Sequence, residues 1–542
     1  MKTIRRPRRV GVLVALAITF SMLGSLSGIT PRSSLATRLQ DAGTPVQGGS
    51  IQTAISEDIT QLDPARFGSL NDALIMNGTI YDSLVYIGEG GRPEPWIAES
   101  WTVSDDATVI TFTIRSGIKF HDGTDLDASA VKIGYDRILD PANAAIAKAF
   151  LGTLEKVDAP DATTVVFTFT EPYAPFFTGV STIGIASPTA IETLGEDFGH
   201  NPVGSGPFKF KEWVPSSKLV LERNPDYVNY RADDTNKGPA YVDEIVYNVI
   251  SEATTQTAAF EAGELNIIDA PREDVARLAA EPNVKIVSLE QSNNVNFIEF
   301  ANTPPYNNEY FRKAVAYAID RDSIVEIAYS GNATPNQCPV PIGNAAYDAN
   351  LCAEHGYTYD LEKAKQVLAE GGFTDTDGNG FVELDGKDLE VTLWSYAPYP
   401  VQAKTIEIIQ PDLNKIGLKA EVQTIEFAAM QPMLQNGEIG FDYMRWTYQD
   451  QSIISAMFKS PGWANQTNDP ELDKLIKVAD TTVDPDKRLE ASHAAVAYIL
   501  DHAIIAPVNS DWIQVAIRDN VQNYHWDASN SYRLNDVWIS TE

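Results

Sequence analysis

Hydrophobic and polar residues alternate with a period of two in several short stretches of the chain. Ile110, Phe112 and Ile114 alternate with threonine and arginine, and residues 164–170 show the same pattern. This period places one face of a strand against a core and the other toward water. Residues 208–224 contain two such runs around a Pro-Ser-Ser turn, which predicts an antiparallel hairpin.

Helical spacing appears between these strands. Asp127 precedes a run in which Val131 and Tyr135 share one face, so it stands where a helix N-cap belongs. Asp360 and Gly371 bracket a second run of this kind, one at each end. Strands that alternate with helices predict an α/β protein.

His121 and Asp122 lie between the first strand and its helix, and enzymes use both residue types for proton transfer. Gly123 follows them, and an Asp-Gly pair is typical of a tight turn. No third residue nearby in the sequence would orient His121 as a catalytic base requires. The pattern therefore favours a structural turn over a catalytic site.

The composition is that of a soluble globular protein. The 542 residues are enough for two or three domains; 44% are hydrophobic and 21% charged. The formal net charge of −33 argues against nucleic acid as a partner, because phosphate binding needs clustered Lys and Arg. Such acidity suits a protein outside the cytoplasm.

The N-terminus has the layout of a secretory signal. Residues 1–9 include five basic residues and no acidic one, and residues 10–29 are almost wholly apolar and small. We expect cleavage after Ala36, which would remove six basic residues. An uncleaved anchor is the alternative, because the apolar run is long enough to stay in the membrane.

The two cysteines, Cys338 and Cys352, lie in a loop rich in Pro, Gly and Asn. An even count in an exported chain favours a disulfide. Closing so short a loop contributes about 3 kcal/mol in the loop-entropy estimate. Buried free thiols are the alternative, and a metal site is less favoured because His355 is the only soft ligand close in sequence.

Two segments carry longer motifs. The first contains Pro95, Ala98-Glu99-Ser100-Trp101, Ser104-Asp105, Ile114-Arg115 and Phe120-His121-Asp122-Gly123. The second contains Asn302-Thr303, Pro305-Tyr306, Arg312 and Ala316-Tyr317-Ala318-Ile319-Asp320-Arg321. In content and order they resemble the family 5 extracellular solute-binding proteins, the peptide, nickel and oligosaccharide receptors of ABC importers. Similar stretches extend from about Gly48 to Trp538.

The resemblance implies a two-lobed α/β periplasmic-binding-protein fold of class II type. Its mixed sheets would be flanked by helices, with an extra subdomain in lobe I and a hinge between the lobes. The implied boundaries are a signal peptide at 1–36, a linker at 37–47, lobe I at 48–295, lobe II at 296–505 and a return to lobe I at 506–542.

The implied function is capture without catalysis. An extracytoplasmic monomer would close around a peptide or similar small to medium solute and present it to an ABC permease in the membrane. No cofactor is required. A peptide is the first solute hypothesis, followed by a sugar or an opine-like compound and then a metal chelate.

A secreted hydrolase acting on peptides or glycans is the alternative class. Gly204-Ser205-Gly206 lacks the G-x-S-x-G spacing, no H-E-x-x-H signature occurs, and the six His residues are scattered. The sequence therefore favours a binding protein over an enzyme. A sensory or chaperone receptor with the same fold is a third hypothesis, which the sequence does not separate from the first.

The stretch from Asp375 to Gly386 resembles a calcium-binding loop in its spacing. Its candidate ligands, in loop order, are Asp375, Asp377, Asn379, the Phe381 carbonyl and Glu383. Gly386 replaces the bidentate Glu of an EF-hand, so the motif is incomplete. A structural calcium clip and an Asp/Gly-rich hairpin without an ion are the two hypotheses.

Aromatic and charged residues at two predicted strand ends are the candidate ligand contacts, because crevices in α/β folds form at strand ends. They are Trp394, Tyr396, Tyr399, Arg445, Trp446, Tyr448 and Asp450. Each aromatic residue could equally belong to the core or the surface.

The residues after Trp446 bear on the solute. The resemblance implies that peptide-binding relatives have an Asp three residues after this Trp, pairing with the peptide amino terminus. Gln449 fills that position here, and Asp450 follows it. A neutral amide cannot make that charge-assisted bond. Either Asp450 replaces it through a shifted turn, or the solute lacks a free α-amine.

Overall fold

The computed structural model describes residues 43–67, 70–143, 145–397, 399–461 and 468–541. The predicted signal peptide, 1–36, and the first part of the predicted linker lie outside the described residues.

The strands run in chain order as follows: β1 Ser50–Ile55, β2 Val85–Ile87, β3 Pro93–Pro95, β4 Ala98–Val103, β5 Val109–Ile114, β6 Leu154–Asp158, β7 Thr164–Phe169, β8 Phe208–Val214, β9 Lys218–Arg223, β10 Glu244–Val249, β11 Ile267–Asp269, β12 Val284–Leu289, β13 Asn294–Phe300, β14 Ala333–Pro335, β15 Glu383–Leu384, β16 Lys387–Asp388, β17 Glu390–Ala397, β18 Lys419–Glu426, β19 Phe441–Thr447, β20 Ala506–Asp511, β21 Ile513–Arg518, β22 Val521–Gln522 and β23 Trp538–Ile539.

The α-helices are α1 Leu70–Met76, α2 Ala128–Leu139, α3 Phe176–Thr182, α4 Pro188–Leu194, α5 Ala253–Glu261, α6 Val275–Ala279, α7 Glu309–Tyr317, α8 Arg321–Ala328, α9 Ala349–His355, α10 Leu361–Glu370, α11 Pro400–Lys415, α12 Phe427–Gln435, α13 Ile453–Phe458, α14 Pro470–Thr481 and α15 Pro485–Asp501.

These elements form two lobes, which confirms the predicted fold. The first lobe has a seven-stranded sheet of order β12-β21-β11-β1-β10-β9-β8 and a four-stranded antiparallel sheet of order β4-β5-β7-β6, the extra subdomain. The second lobe has a six-stranded sheet of order β14-β20-β13-β19-β17-β18. Parallel and antiparallel pairs are mixed in both large sheets.

Two short connections join the lobes. The chain leaves the seven-stranded sheet after β12 and enters the six-stranded sheet with β13. It goes back between β20 and β21. β20 pairs with β13 and β14, so the return segment begins after Asp511, six residues later than the expected start at 506. The predicted lobe boundaries stay a prediction, and this pairing favours a boundary next to Asp511.

Local sequence signals correspond to local structure. The alternating run at 110–114 is within β5, and β8 pairs with β9 as the predicted hairpin. The Asp127 carboxylate accepts a hydrogen bond from Ala130 N at 3.0 Å and caps α2. Asp360 caps α10 in the same way. These elements were predictable because their stabilising contacts are close in sequence.

The six-stranded sheet buries both of its faces. Leu393, Phe441 and Tyr443 pack on the face covered by α7, α8, α10 and α11. Met444 and Val295 pack on the opposite face, covered by α12 to α15. Because neighbouring residues of a strand point to opposite faces, the side chains at the end of β19 separate in the same way.

Candidate functional site

The candidate site is a cavity of about 350 Å³ between the two lobes. The first lobe lines it with Arg272 and Glu273, which follow β11. The second lobe lines it with Arg445 of β19 and with Tyr399 at the start of α11. Asp511, where the chain crosses back, also lies in its wall. A cavity of this size accommodates a small or medium solute.

Asp511 ties the two lobes together at the cavity wall. The residue is only 2% exposed, and its carboxylate accepts a hydrogen bond from the Arg272 guanidinium. Arg445 lies 3.7 Å from the same oxygen, and Asn296 donates to the other oxygen at 3.0 Å. Burial alone would raise the pKa of Asp511, but the Arg445 and Arg272 charges outweigh it and hold the pKa below its usual range.

Arg445 reaches the cavity because it is an odd-numbered residue of β19, and the odd-numbered side chains of this strand point to one face of the sheet. It lies opposite Asn296 in the antiparallel pairing of β13 with β19. It belongs to the odd-numbered set of Phe441 and Tyr443, on the side covered by α8 and α11. Trp446 points to the other face and packs against the core there.

The start of α11 forms another part of the wall. Tyr399 is the N-cap residue, and its side chain makes no capping hydrogen bond. Gln402 is 4% exposed, and its Oε1 has no hydrogen-bond partner. Lys404, two residues further along α11, also lines the cavity and is exposed. The positive end of a 16-residue helix therefore faces the cavity without a side-chain cap.

The structure separates the candidate ligand contacts into groups. Tyr399 and Arg445 line the cavity. Trp394, Trp446 and Tyr448 are half-buried and pack against the hydrophobic cluster on the opposite side of the six-stranded sheet. A ligand role for these three stays a prediction.

Sequence reasoning missed four charged residues of the site, Arg272, Glu273, Lys404 and Asp511. Arg272 follows the end of β11 closely, Asp511 is the last residue of β20, and Lys404 lies in the first turns of α11. A charged residue next to a predicted strand end was therefore the signal that could have found Arg272 and Asp511.

Tyr396 has a structural position. Its side chain is 1% exposed, and its hydroxyl donates to Asp442 at 2.6 Å. Asp442 lies opposite Glu299 in the pairing of β13 with β19, and both carboxyl groups are buried. Burial raises the pKa of Glu299, the charge of Asp442 raises it further, and burial also raises the pKa of Asp442. This burial favours a structural role for Tyr396, and a ligand role for it stays a prediction.

Asp450 is likewise engaged inside the protein. It is 4% exposed, and both of its oxygens accept hydrogen bonds from Arg488 of α15, at 2.9 and 2.6 Å. Ser452 N also donates to it at 2.8 Å. Although burial raises the pKa of Asp450, the Arg488 charge outweighs it and keeps the pKa low. This geometry favours a structural ion pair over the expected contact with a peptide amine.

The predicted disulfide is present between Cys338 and Cys352, whose Cα atoms lie 5.3 Å apart. The loop that it closes braces the lobe connection. Gly343 N donates to Ser292 O at 3.0 Å, and Asn344 Nδ2 donates to the carbonyl oxygens of Tyr448 and Asp450. A Cβ at Gly343 would lie 2.4 Å from the Gln291 carbonyl oxygen, so only glycine fits there.

The Asp375 loop brings candidate metal ligands together. Carboxylate oxygens of Asp375, Asp377 and Glu383 lie within 4.8 Å of one another. Asp375 accepts hydrogen bonds from the Gly378 and Gly380 amides, and Glu383 accepts from Thr376. Such bonds also form in an Asp/Gly-rich turn without an ion. Calcium therefore stays a prediction.

His121 is a scaffold residue. Its Nε2 bonds the Gly206 carbonyl oxygen at 3.0 Å, and Gly204 N donates to its Nδ1 at 3.4 Å. Burial lowers the pKa of His121 to about 4, so the ring is neutral at neutral pH. The two bonds join the turn after β5 to the segment before β8, as the structural interpretation of this turn requires.

Comparison with known proteins identifies the family. A profile described as bacterial extracellular solute-binding proteins, family 5 Middle, matches residues 92–466, more than half of the chain. The chain belongs to this family. Membership confirms the predicted resemblance and the predicted solute-binding role, and it favours that role over a hydrolase.

Individual proteins match almost the whole chain. The glutathione-binding protein GsiB of Escherichia coli O1:K1 / APEC is 26% identical over 508 residues, covering 90% of this chain and 92% of that protein. The structure of HbpA2 from Haemophilus parasuis is 27% identical, covers 91% of this chain and 100% of that one, and has a TM-score of 0.77. AgaA from A. tumefacien R10, solved with agropinic acid, is 25% identical, covers 91% and 99%, and has a TM-score of 0.70.

Family 5 proteins are extracellular by description. Within residues 43–541, as far as the structure describes them, no helix combines the length and apolarity needed to cross a bilayer. The expected signal segment falls on residues that the structure does not describe.

Proposed function

We propose that this family 5 protein captures a peptide-like solute in the cavity between its lobes and delivers it to an ABC permease. The observation that carries the proposal is Asp511, a buried carboxylate that binds Arg272 of one lobe and lies close to Arg445 of the other. A solute at this point touches both lobes, so its binding energy favours the closed form.

Contacts on the far side of the cleft support closure as the mechanism. Ala174 N, in the first lobe, donates to the Asp480 carbonyl oxygen of α14 at 2.7 Å. Arg92 pairs with Asp486 at 2.6 Å, and Lys477 pairs with Glu171 at 3.5 Å. Both pairs are exposed and contribute about 0–1 kcal/mol each. Moving a two-state equilibrium from 1:99 to 99:1 takes about 5.5 kcal/mol, so solute contacts must supply most of it.

The solute class follows from the relatives and the cavity together. GsiB is named for glutathione, and AgaA was solved with agropinic acid. Both names point to small organic solutes, which the cavity of about 350 Å³ also suits. The engagement of Asp450 by Arg488 argues against an anchor for a peptide amino terminus at that residue. We therefore propose a short peptide or peptide-like compound that is held by other groups.

The test combines native mass spectrometry with solution scattering. The purified protein should carry a solute, or retain one from a pool of di- to pentapeptides, with unchanged mass. The radius of gyration should fall when that solute binds. Cleavage of pool peptides with turnover would support a hydrolase instead, and an identical scattering curve with and without a bound solute would contradict closure.

Two finer properties belong to the same proposal. We propose that the protein is exported by its N-terminal segment and that it works as a monomer. The intact mass of protein recovered from outside the cytoplasm would reveal cleavage after Ala36. Light scattering coupled to gel filtration should give the mass of one chain of 542 residues, less that segment.

Calcium at the Asp375 loop is a further proposal, supported by the approach of three carboxylates and by the ligand spacing. A chelator should then lower the melting temperature, and added calcium should restore it. The variant Asp377→Asn should lose this response. An unchanged melting temperature in the chelator would leave the loop as a hairpin without an ion.

A further inference from the structure

The helices α14 and α15 form a hairpin in the second lobe, and residues 482–484 are its tip. Asp484 caps α15, because its carboxylate accepts a hydrogen bond from Lys487 N at 3.0 Å. Thr482 N donates to a carbonyl oxygen of the last turn of α14 at 3.1 Å. Both sides of the tip are therefore fixed within the second lobe, so its contacts require little further ordering of the chain.

Val483 of the hairpin tip packs against the core of the extra subdomain in the first lobe. The buried residues of that core all lie between residues 65 and 185. Val483 is half-buried, and among the described residues it is the only hydrophobic residue of the second lobe that packs against this core. Opening of the lobes returns the side chain to water, so the contact stabilises the closed form.

A backbone hydrogen bond joins the lobes close to Val483. The carbonyl oxygens in the last turn of a helix lack intrahelical donors, and Asp480 lies in the last turn of α14. Ala174 N of the first lobe donates to the Asp480 carbonyl oxygen at 2.7 Å, and Ala174 is 4% exposed. The end of α14 therefore presents an acceptor that the first lobe satisfies.

Tyr173, next to Ala174, lies between its own lobe and the second one. A Cβ at Gly152 would lie 2.4 Å from the Tyr173 ring, so a larger residue would displace this ring. Gly152 also has a φ of +54°, a conformation that favours glycine. Burial raises the pKa of Tyr173, and the charges of Tyr448 and Asp480 in the second lobe raise it further. The ring therefore rests on the first lobe and lies close to the second.

We propose that residues 480–484 form a latch, in which Val483 and the Asp480 carbonyl hold the extra subdomain and slow the release of a bound solute. A solute leaves only after the lobes open, and opening breaks both latch contacts. The latch therefore acts on the dissociation rate more than on the association rate. The inference rests on the proposed function, which requires closure, and names the contact that delays opening.

The experiment uses the full mature protein and the peptide that it retains best from a pool of di- to pentapeptides, found by native mass spectrometry. Surface plasmon resonance on immobilised protein gives the association and dissociation rates of that peptide. The variants are Val483→Ser, which weakens the apolar contact, and Val483→Ile, which keeps it. Val478→Ser is the matched control, because Val478 of α14 is 54% exposed. Circular dichroism and melting curves confirm that each variant is folded.

Hydrogen exchange followed by mass spectrometry gives a second readout at the contact itself. Pro172 and Pro175 carry no amide hydrogen, so between them only Tyr173 and Ala174 exchange. The Ala174 amide finds its acceptor on the other lobe, so its protection reports the closed form. The amides of β5 and β7 pair within the extra subdomain and report its own stability.

Val483→Ser should release the peptide about five-fold faster, the effect expected for a half-buried valine, with the association rate within about two-fold of wild type. Exchange at Ala174 in the peptide-loaded protein should become faster, while β5 and β7 keep the wild-type rate. Val483→Ile and Val478→Ser should both stay within about two-fold of the wild type in both rates.

A Val483→Ser protein with the dissociation rate and the Ala174 exchange of the wild type would overturn the inference and leave the proposed function intact. An equal effect of Val478→Ser would also overturn it, because the hairpin as a whole and not its tip would then be responsible. If no peptide binds and no solute is carried from the cell, the proposed function fails, and the inference fails with it.

Discussion

Four buried carboxyl groups of the second lobe are of two kinds, according to what faces them. Asp450 and Asp511 each face arginine, and their pKa values are lowered. Glu299 and Asp442 face each other and a tyrosine hydroxyl, and their pKa values are raised. The first kind stays charged when buried, whereas the second avoids the desolvation of charge by holding protons.

The pair of Glu299 and Asp442 should make stability depend on pH. Unfolded carboxyl groups lose their protons near pH 4, whereas burial raises the pKa of Asp442 to about 7. The folded state binds more protons at this pair in between, so the pair's contribution to the free energy of unfolding should fall as pH rises from about 4 through about 7. The stabilisation that the pair of Glu299 and Asp442 contributes is fully present below about pH 4.

The variant Glu299→Gln should flatten that fall, because it removes one of the two titrating groups. Urea denaturation at several pH values measures the slope. Glu421→Gln, which changes an exposed carboxylate of β18, should keep the wild-type slope. A Glu299→Gln variant with the same slope as the wild type would contradict the raised pKa values.

The Asp450–Arg488 pair contrasts with the pair of Glu299 and Asp442, because its carboxyl group stays charged when buried. Asp450→Asn should lower the free energy of unfolding by about 3–5 kcal/mol, because it leaves the 8% exposed Arg488 charge without its partner. The double variant Asp450→Leu with Arg488→Met should cost less than that single change. Denaturant titrations of the wild type, the single variant and the double variant measure these differences in the free energy of unfolding. A double variant that is less stable than Asp450→Asn would show that the pair itself stabilises the fold.

At the scale of elements, the disulfide-closed loop holds two segments in place. It contacts the connection between β12 and β13 through Gly343, and the segment after β19 through Asn344. The loop therefore fixes β19 relative to the crossing point, and β19 carries Arg445 into the cavity.

Loss of the disulfide should therefore affect both stability and binding. Replacing Cys338 and Cys352 by serine should lower the free energy of unfolding by about 3 kcal/mol in the loop-entropy estimate. Solute affinity should fall as well, because the segment after β19 loses its brace. Denaturation of the wild type with and without reductant should give the same difference, and no effect of reductant would contradict it.

The sequence predicted the helices and strands further than it predicted the contacts of the candidate site. The Asp127 cap and the alternation of β5 depend on neighbours in sequence, so local pattern was enough. Arg272 and Asp511 meet across 239 residues, and Asp450 meets Arg488 across 38. Partners at such separations come together only through the sheet order, which periodicity does not encode.

At the scale of the whole molecule, both weak and strong contacts connect the two lobes across the cleft. The exposed pairs of Arg92 with Asp486 and Lys477 with Glu171 lie on the far side, whereas the buried Asp511 cluster lies at the connection. Exposed pairs are screened by salt and contribute little. The exposed pairs on the far side should therefore shift the equilibrium between the open and closed forms only slightly.

Asp486→Asn tests this difference directly. Loss of one exposed pair, worth at most about 1 kcal/mol, should change solute affinity less than about five-fold. Raising the salt concentration should have an equally small effect on the wild type. Titration calorimetry measures both. A loss of affinity above about 20-fold would mean that the far-side pair drives closure.

The position of β21 has a consequence for biosynthesis. Residues 513–518 lie between β11 and β12 in the seven-stranded sheet, yet they come near the end of a chain of 542 residues. The half of the protein that leaves the ribosome first therefore cannot complete its own sheet until translation is nearly over. For the proposed export, we expect this topology to keep the nascent polypeptide from compacting before most of it has been synthesised.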